Sequence, residues 1–60
     1  MFLVKYYDFE KKKTDKKEFE TEEKAIESAF DSVACFNYDK TEVFDKNNKK
    51  ICVYLIENFI

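Results

Sequence analysis

The sequence predicts an α+β domain of order β-β-α-β-β, with one helix packed on one face of a four-stranded mixed sheet. Three observations lead there. One segment, Thr21–Phe36, has helical phase. The segment Phe2–Phe9 alternates side chains over two faces, and Ile51–Ile56 is a short, nearly continuous apolar run. An Asn pair, Asn47-Asn48, stands between that run and a third short segment, Thr41–Asp45, where a hairpin needs a turn.

The helix is justified by period. At about 100° per residue, Ile26, Ala29, Phe30 and Val33 fall together, flanked by Ala25, Ala34 and Phe36. Lys24, Glu27, Ser28 and Asp31 fall opposite and are expected in water. Thr21 suits the N-cap, because its hydroxyl accepts from a free amide of the first turn. Glu22 and Glu23 follow, where negative charge suits the positive end of the helix dipole. Asn37 is the expected stop, since Asn tolerates the left-handed conformation.

The strands follow from alternation. In Phe2–Phe9, Phe2, Val4 and Tyr6 share one face, and Leu3, Lys5, Tyr7 and Phe9 share the other. Glu10–Lys17 holds five lysines and is expected as a loop, with Glu18–Glu20 a short charged strand returning along an edge. Thr41–Asp45 and Ile51–Ile56 form a second hairpin, closed by the positive φ values that Asn47 and Asn48 tolerate. The two most apolar strands, the first and the fourth, are placed at the centre. The helix crossover then makes them parallel and gives the spatial order 2-1-4-3, with a right-handed crossover. That arrangement resembles the general layout of a β-grasp sheet.

Lys5 assigns the faces. A lysine under a helix is costly, so Phe2, Val4 and Tyr6 face inward, matched by Ile51, Val53 and Leu55. The outer face then carries Leu3, Tyr7, Phe9, Cys52, Tyr54 and Ile56 beside Lys5, more apolar than a solvated face should be. That surplus points to a docking surface, for a second copy or another protein, with Leu3, Lys5, Tyr7, Phe9, Tyr54 and Ile56 as contact residues. The competing expectation is that the Lys-rich loop or Asn58-Phe59-Ile60 covers the face. The exposed acids of the helix, Glu23, Glu27 and Asp31, form a second candidate surface, suited to steering toward a basic partner.

Length and composition narrow the function classes. Sixty residues predict a single domain, residues 1–60, in which burial and chain entropy nearly cancel. There is no His, Arg, Gly, Pro or Trp, so no nucleotide loop, imidazole base or planar guanidinium clamp is expected, and neither is a cofactor or metal. The carboxylate pairs Asp8/Glu10, Glu22/Glu23 and Asp39/Glu42 read as solvated, and Cys35 and Cys52 as free thiols on different sides of the fold. The N-terminus lacks the apolar core of a signal peptide, and no run is long enough to span a bilayer, so a cytoplasmic protein is expected. Richness in Lys, Phe, Ile, Asn and Tyr matches AT-rich codons and suggests a low-GC bacterium or its phages or plasmids.

Together these readings point away from an enzyme and toward a small protein-binding module, of which a phage- or plasmid-encoded inhibitor of a host defence protein is one form. Two alternatives stand beside it. One is a single-stranded nucleic-acid-binding protein using Lys5, Tyr7, Phe9, Tyr54 and the Lys11–Lys17 run. The other is a structural homodimer or assembly subunit. A net charge of −2, and basic loops expected at opposite ends of the sheet, weigh against nucleic acid.

Overall fold

A computed structural model describes all residues from Met1 to Ile60. Its elements are β1 (Phe2–Asp8), β2 (Lys13–Phe19), α1 (Glu22–Ala34), β3 (Lys40–Phe44) and β4 (Lys50–Leu55), followed by a 3-10 turn over Ile56–Phe59. The α+β class and the β-β-α-β-β order are as the sequence predicts. The sheet order is not. It runs β2-β1-β3-β4, and every neighbouring pair is antiparallel. β3, not β4, lies beside β1, so the expected order 2-1-4-3 and the parallel pair are corrected.

The reason lies in the side chains of β3. Thr41, Glu42 and Val43 are all buried, although two of them are polar. Thr41 Oγ1 donates to the Ala29 carbonyl at 3.0 Å, which ties the strand to the helix above it. Val43 lies opposite Val4 in the register with β1 and adds to the core. Polar residues with built-in partners occupy a central strand at little cost, and apolarity alone misplaces the strand.

β2 also exceeds its expected length. The stretch foreseen as a lysine loop is mostly strand, paired with β1 from Phe2↔Phe19 to Asp8↔Lys13. Its alternate residues include Asp15, which accepts from Tyr38 Oη at 2.7 Å on the helix side. Lysines on this strand fit its edge position, where charge discourages further pairing.

The helix begins as predicted. Thr21 Oγ1 accepts from the Lys24 amide at 3.2 Å. Its buried stripe is Ala25, Ala29 and Val33, spaced four residues apart. Small residues there let the helix sit close over Val4, Tyr6 and Val43. Phe30 moves to the rim of the stripe, where its ring meets Tyr54 and Phe59 edge-on at 5.5 and 5.2 Å. Ser28, expected in water, is half-buried and hydrogen-bonded to Tyr6 Oη at 2.7 Å.

The stop falls one residue before the expected Asn37. Phe36 takes φ 60°. Its amide donates to the Val33 carbonyl at 2.9 Å, and the Asn37 amide donates to the Ser32 carbonyl at 3.0 Å. These are the two bonds of a Schellman C-cap, with phenylalanine in the left-handed position that glycine usually fills. The second hairpin turns as foreseen at Asn48, φ 64°. Asp45 Oδ1 accepts from the Asn47 and Lys49 amides at 2.8 and 2.9 Å.

A left-handed phenylalanine costs roughly 1–2 kcal/mol, and its side chain is 59% exposed, so it returns little packing. Phe36→Gly is expected to raise stability by about 0.5–1 kcal/mol after allowing for the extra unfolded-state entropy of glycine. Urea unfolding monitored by circular dichroism measures this; a loss of stability instead would show that the Phe36 ring contributes to the fold.

Candidate binding face

The helix covers one face of the sheet, and no element covers the other. Val4, Tyr6, Thr41 and Val43 point to the helix. By alternation Leu3, Lys5 and Tyr7 of β1 point away, together with Lys40, Glu42 and Phe44 of β3. The register of β4 then decides its two sides. Tyr54 lies opposite Thr41 and Cys52 opposite Val43, so both belong to the helix side, while Val53 and Leu55 lie opposite Glu42 and Lys40 on the open side.

This corrects the expected face at several positions. Tyr54 and Cys52 are not on it; Tyr54 packs against Phe30. Val53 and Leu55, expected inside, take their places. Ile51 is left unpaired by a bulge, because Val43 pairs with Cys52 and Phe44 with Lys50, and it packs against the core. Ile56 leaves the sheet as the first residue of the 3-10 turn, and with Leu55 it borders a shallow cleft of about 160 Å³ next to Phe9. Phe9 lies beyond β1 in the turn, exposed, its amide donating to Asp39 Oδ2 at 2.7 Å. Leu3, Lys5 and Tyr7 stand where expected, each half-buried. Glu23, Glu27 and Asp31 are exposed on the far side of the molecule, on the helix. Neither expected cover forms: Phe59 turns back to the helix side against Phe30, and Ile60 is 93% exposed.

Glu42 anchors the open face, and the sequence reading, which placed it among solvated carboxylates, missed it. Its side chain is only 8% exposed although nothing overlies the sheet. Neighbouring side chains fold over it. Tyr7 Oη donates to Oε1 at 2.5 Å, and Lys50 Nζ lies 2.6 Å and Lys40 Nζ 3.7 Å from Oε2. Burial works against ionisation of Glu42, but the hydrogen bonds from Lys50 and Tyr7 and the two ammonium charges outweigh it, so the carboxyl titrates below its ordinary value. The same bond, with burial and the carboxylate charge, pushes Tyr7 up to about 12. The local signals are a glutamate between two β-formers in Thr41–Phe44 and Lys40 two residues before it; Tyr7, its hydrogen-bond donor, is 35 residues away.

The lysines of this face also cover its rings. Lys40 Nζ stands 5.4 Å from the centre of the Tyr7 ring, and Lys5 Nζ 4.9 Å from that of Phe44. Both cysteines are free, Cys35 exposed and Cys52 half-buried. Burial pushes the Cys52 thiol up, which lowers its reactivity. No three His, Cys, Asp or Glu side chains gather as metal ligands. No helix is long and apolar enough to cross a membrane. In comparisons with known proteins, no family model, curated protein or solved structure matches the chain.

The cluster gives stability a two-sided pH profile. Glu42, with its lowered pKa, stabilises above its ordinary value of 4.5, and the contribution is lost as pH falls through the folded value. Tyr7, raised from 10.0 to about 12, stabilises fully below 10 and loses that contribution as pH rises toward 12. Tyr7→Phe is expected to cost about 1.5 kcal/mol at neutral pH, the worth of a hydrogen bond to a charged acceptor, and to make the alkaline limb shallower. Unfolding midpoints across the pH range check both; an unchanged alkaline limb in Tyr7→Phe contradicts this account of the cluster.

Proposed function

We propose that this chain is a small non-enzymatic protein-binding module whose working surface is the open face of the sheet. The observation that supports it is the uncovered face itself: one helix screens one side, the chain's C-terminal turn folds to that same side, and the other side is left to solvent. Its composition suits a protein partner. Leu3, Phe44, Val53 and Leu55 supply apolar contact, and Lys5, Lys16, Lys40 and Lys50 outnumber Glu18 and Glu42 around them. The partner would be a protein surface with an apolar centre and an acidic rim. An inhibitor that occludes a host protein, encoded by a phage or plasmid, is the form of this function that best suits so short a chain, and a cytoplasmic setting belongs with it. The acidic helix face, with Glu23, Glu27 and Asp31, remains a second surface for a basic partner.

The nucleic-acid reading loses support from the same geometry. Bases stack on free aromatic faces, and here Lys40 and Lys5 sit over Tyr7 and Phe44 while Tyr54 is under the helix. The two hairpin tips, at Phe9–Lys12 and Asp45–Lys49, lie at opposite ends of the sheet, so their lysines form no single track.

Two paired variants test the proposal. Leu3→Lys with Leu55→Lys charges the open face, and Glu27→Lys with Asp31→Lys reverses the helix face; all four positions lie outside the fully buried core. Capture from a low-GC bacterial lysate is expected to lose its partner in the first pair only. A partner kept by the first pair and lost by the second moves the function to the helix. Tight single-stranded DNA binding that weakens steeply with salt and falls on Tyr7→Ala replaces the proposal with the nucleic-acid reading.

A further inference from the structure

The sheet has two edges, and they are built differently. The β2 edge carries Lys13, Lys16 and Lys17, charges that repel another strand. The β4 edge carries a single charge, Lys50 at its first residue, and none from Ile51 to Leu55. Its phase is set by one bond: the Ile56 amide donates to the Asp39 carbonyl at 2.9 Å. In an antiparallel ladder with Lys40 opposite Leu55, this makes Thr41 and Tyr54 a hydrogen-bonded pair and Glu42 and Val53 a non-bonded one. Val53 and Leu55 therefore turn their N–H and C=O groups outward, away from β3. Apolar side chains flank that row on both sides. Val53 is exposed on the open face, and Phe30, 45% exposed, packs on Tyr54 on the other.

We infer that this edge pairs with the β4 edge of a second copy, antiparallel, about a two-fold axis through Val53. The two four-stranded sheets then become one continuous sheet of eight strands. A second copy is the occupant because the edge is complementary to itself. With Val53 opposite Val53 of the second copy, the two residues exchange both outward hydrogen bonds across the axis. The charges agree as well. Lys49 and the strand's first residue, Lys50, stand at one end and Glu57 lies just past the other, so an antiparallel copy brings the basic end of one strand to the acidic end of the other. The inference does not rest on the open face as a partner site: Val53 and Leu55 border both surfaces, but the pairing is carried by their outward backbone groups and not by the face.

Light scattering after size exclusion, in reductant and over a dilution series, tests it. The expected mass is twice the 7.3 kDa of the chain. Val53→Pro removes the outward N–H without touching the β3 ladder, and is expected to give a folded monomer. Val53→Lys is the second variant, should proline unfold the strand. It keeps the backbone donor but sets two ammonium groups directly opposite at the axis, and it too is expected to be monomeric. In Cys35→Ser, Cys52→Ser protein, Val53→Cys is expected to cross-link to a covalent dimer under mild oxidation, since bonded antiparallel pairs hold Cα atoms about 5.5 Å apart. Three outcomes overturn the inference: a wild-type monomer throughout the series, a dimer that persists in folded Val53→Lys, or a dimer abolished by Phe44→Lys while Val53→Lys leaves it intact. The last would mean that copies associate through their open faces.

Discussion

One helix of thirteen residues screens only one side of a four-stranded sheet, and the rest of the molecule accommodates that limit. The helix presses close through Ala25 and Ala29, and the core beneath it is small: Val4, Tyr6, Val33 and Val43 carry most of it. On the unscreened side the chain cannot bury apolar groups, so it builds a polar centre. Glu42 is kept from water by Tyr7, Lys40 and Lys50, which act both as hydrogen-bond partners and as its lid. Removing any one of them leaves a buried charge short of a partner, which is why a polar cluster on an open face can be as demanding as a core.

Much of the fold was legible because it is local. The Thr21 cap, the Ala29–Val33 stripe, the alternation of β1 and the Asn48 turn all depend on residues within one or two turns of each other. The order of the strands was not legible, for a physical reason. Central position was inferred from apolarity, but β4 is apolar as an edge strand that meets the helix through Tyr54 and carries Val53 outward. β3 is central with a threonine and a glutamate, because Thr41 finds a helix carbonyl and Glu42 finds Tyr7, 35 residues away. Satisfaction of a polar group by a distant partner leaves no trace in a local pattern. The candidate face was therefore half legible: Leu3, Lys5 and Tyr7 were placed, Tyr54 and Ile56 misplaced, and Glu42, Phe44, Val53 and Leu55 missed.

The near-neutral net charge of −2 conceals a segregated one. Acids gather on the outside of the helix at Glu23, Glu27 and Asp31, and lysines on the open side of the sheet. The molecule thus presents two fields of opposite sign on opposite sides, and approaching charged surfaces sense its orientation before contact.

The position of β1 between β2 and β3 has a kinetic consequence. Each hairpin closes over a short turn, and the helix is local as well, but the two hairpins meet only along the β1–β3 seam, at pairs such as Val4 and Val43. Closing that seam spends most of the loop entropy, so it sets the height of the folding barrier. Truncations at Val4 or Val43 should then slow refolding, whereas changes confined to the β3–β4 hairpin should mostly quicken unfolding. With no proline in the chain, no slow isomerisation phase obscures the difference.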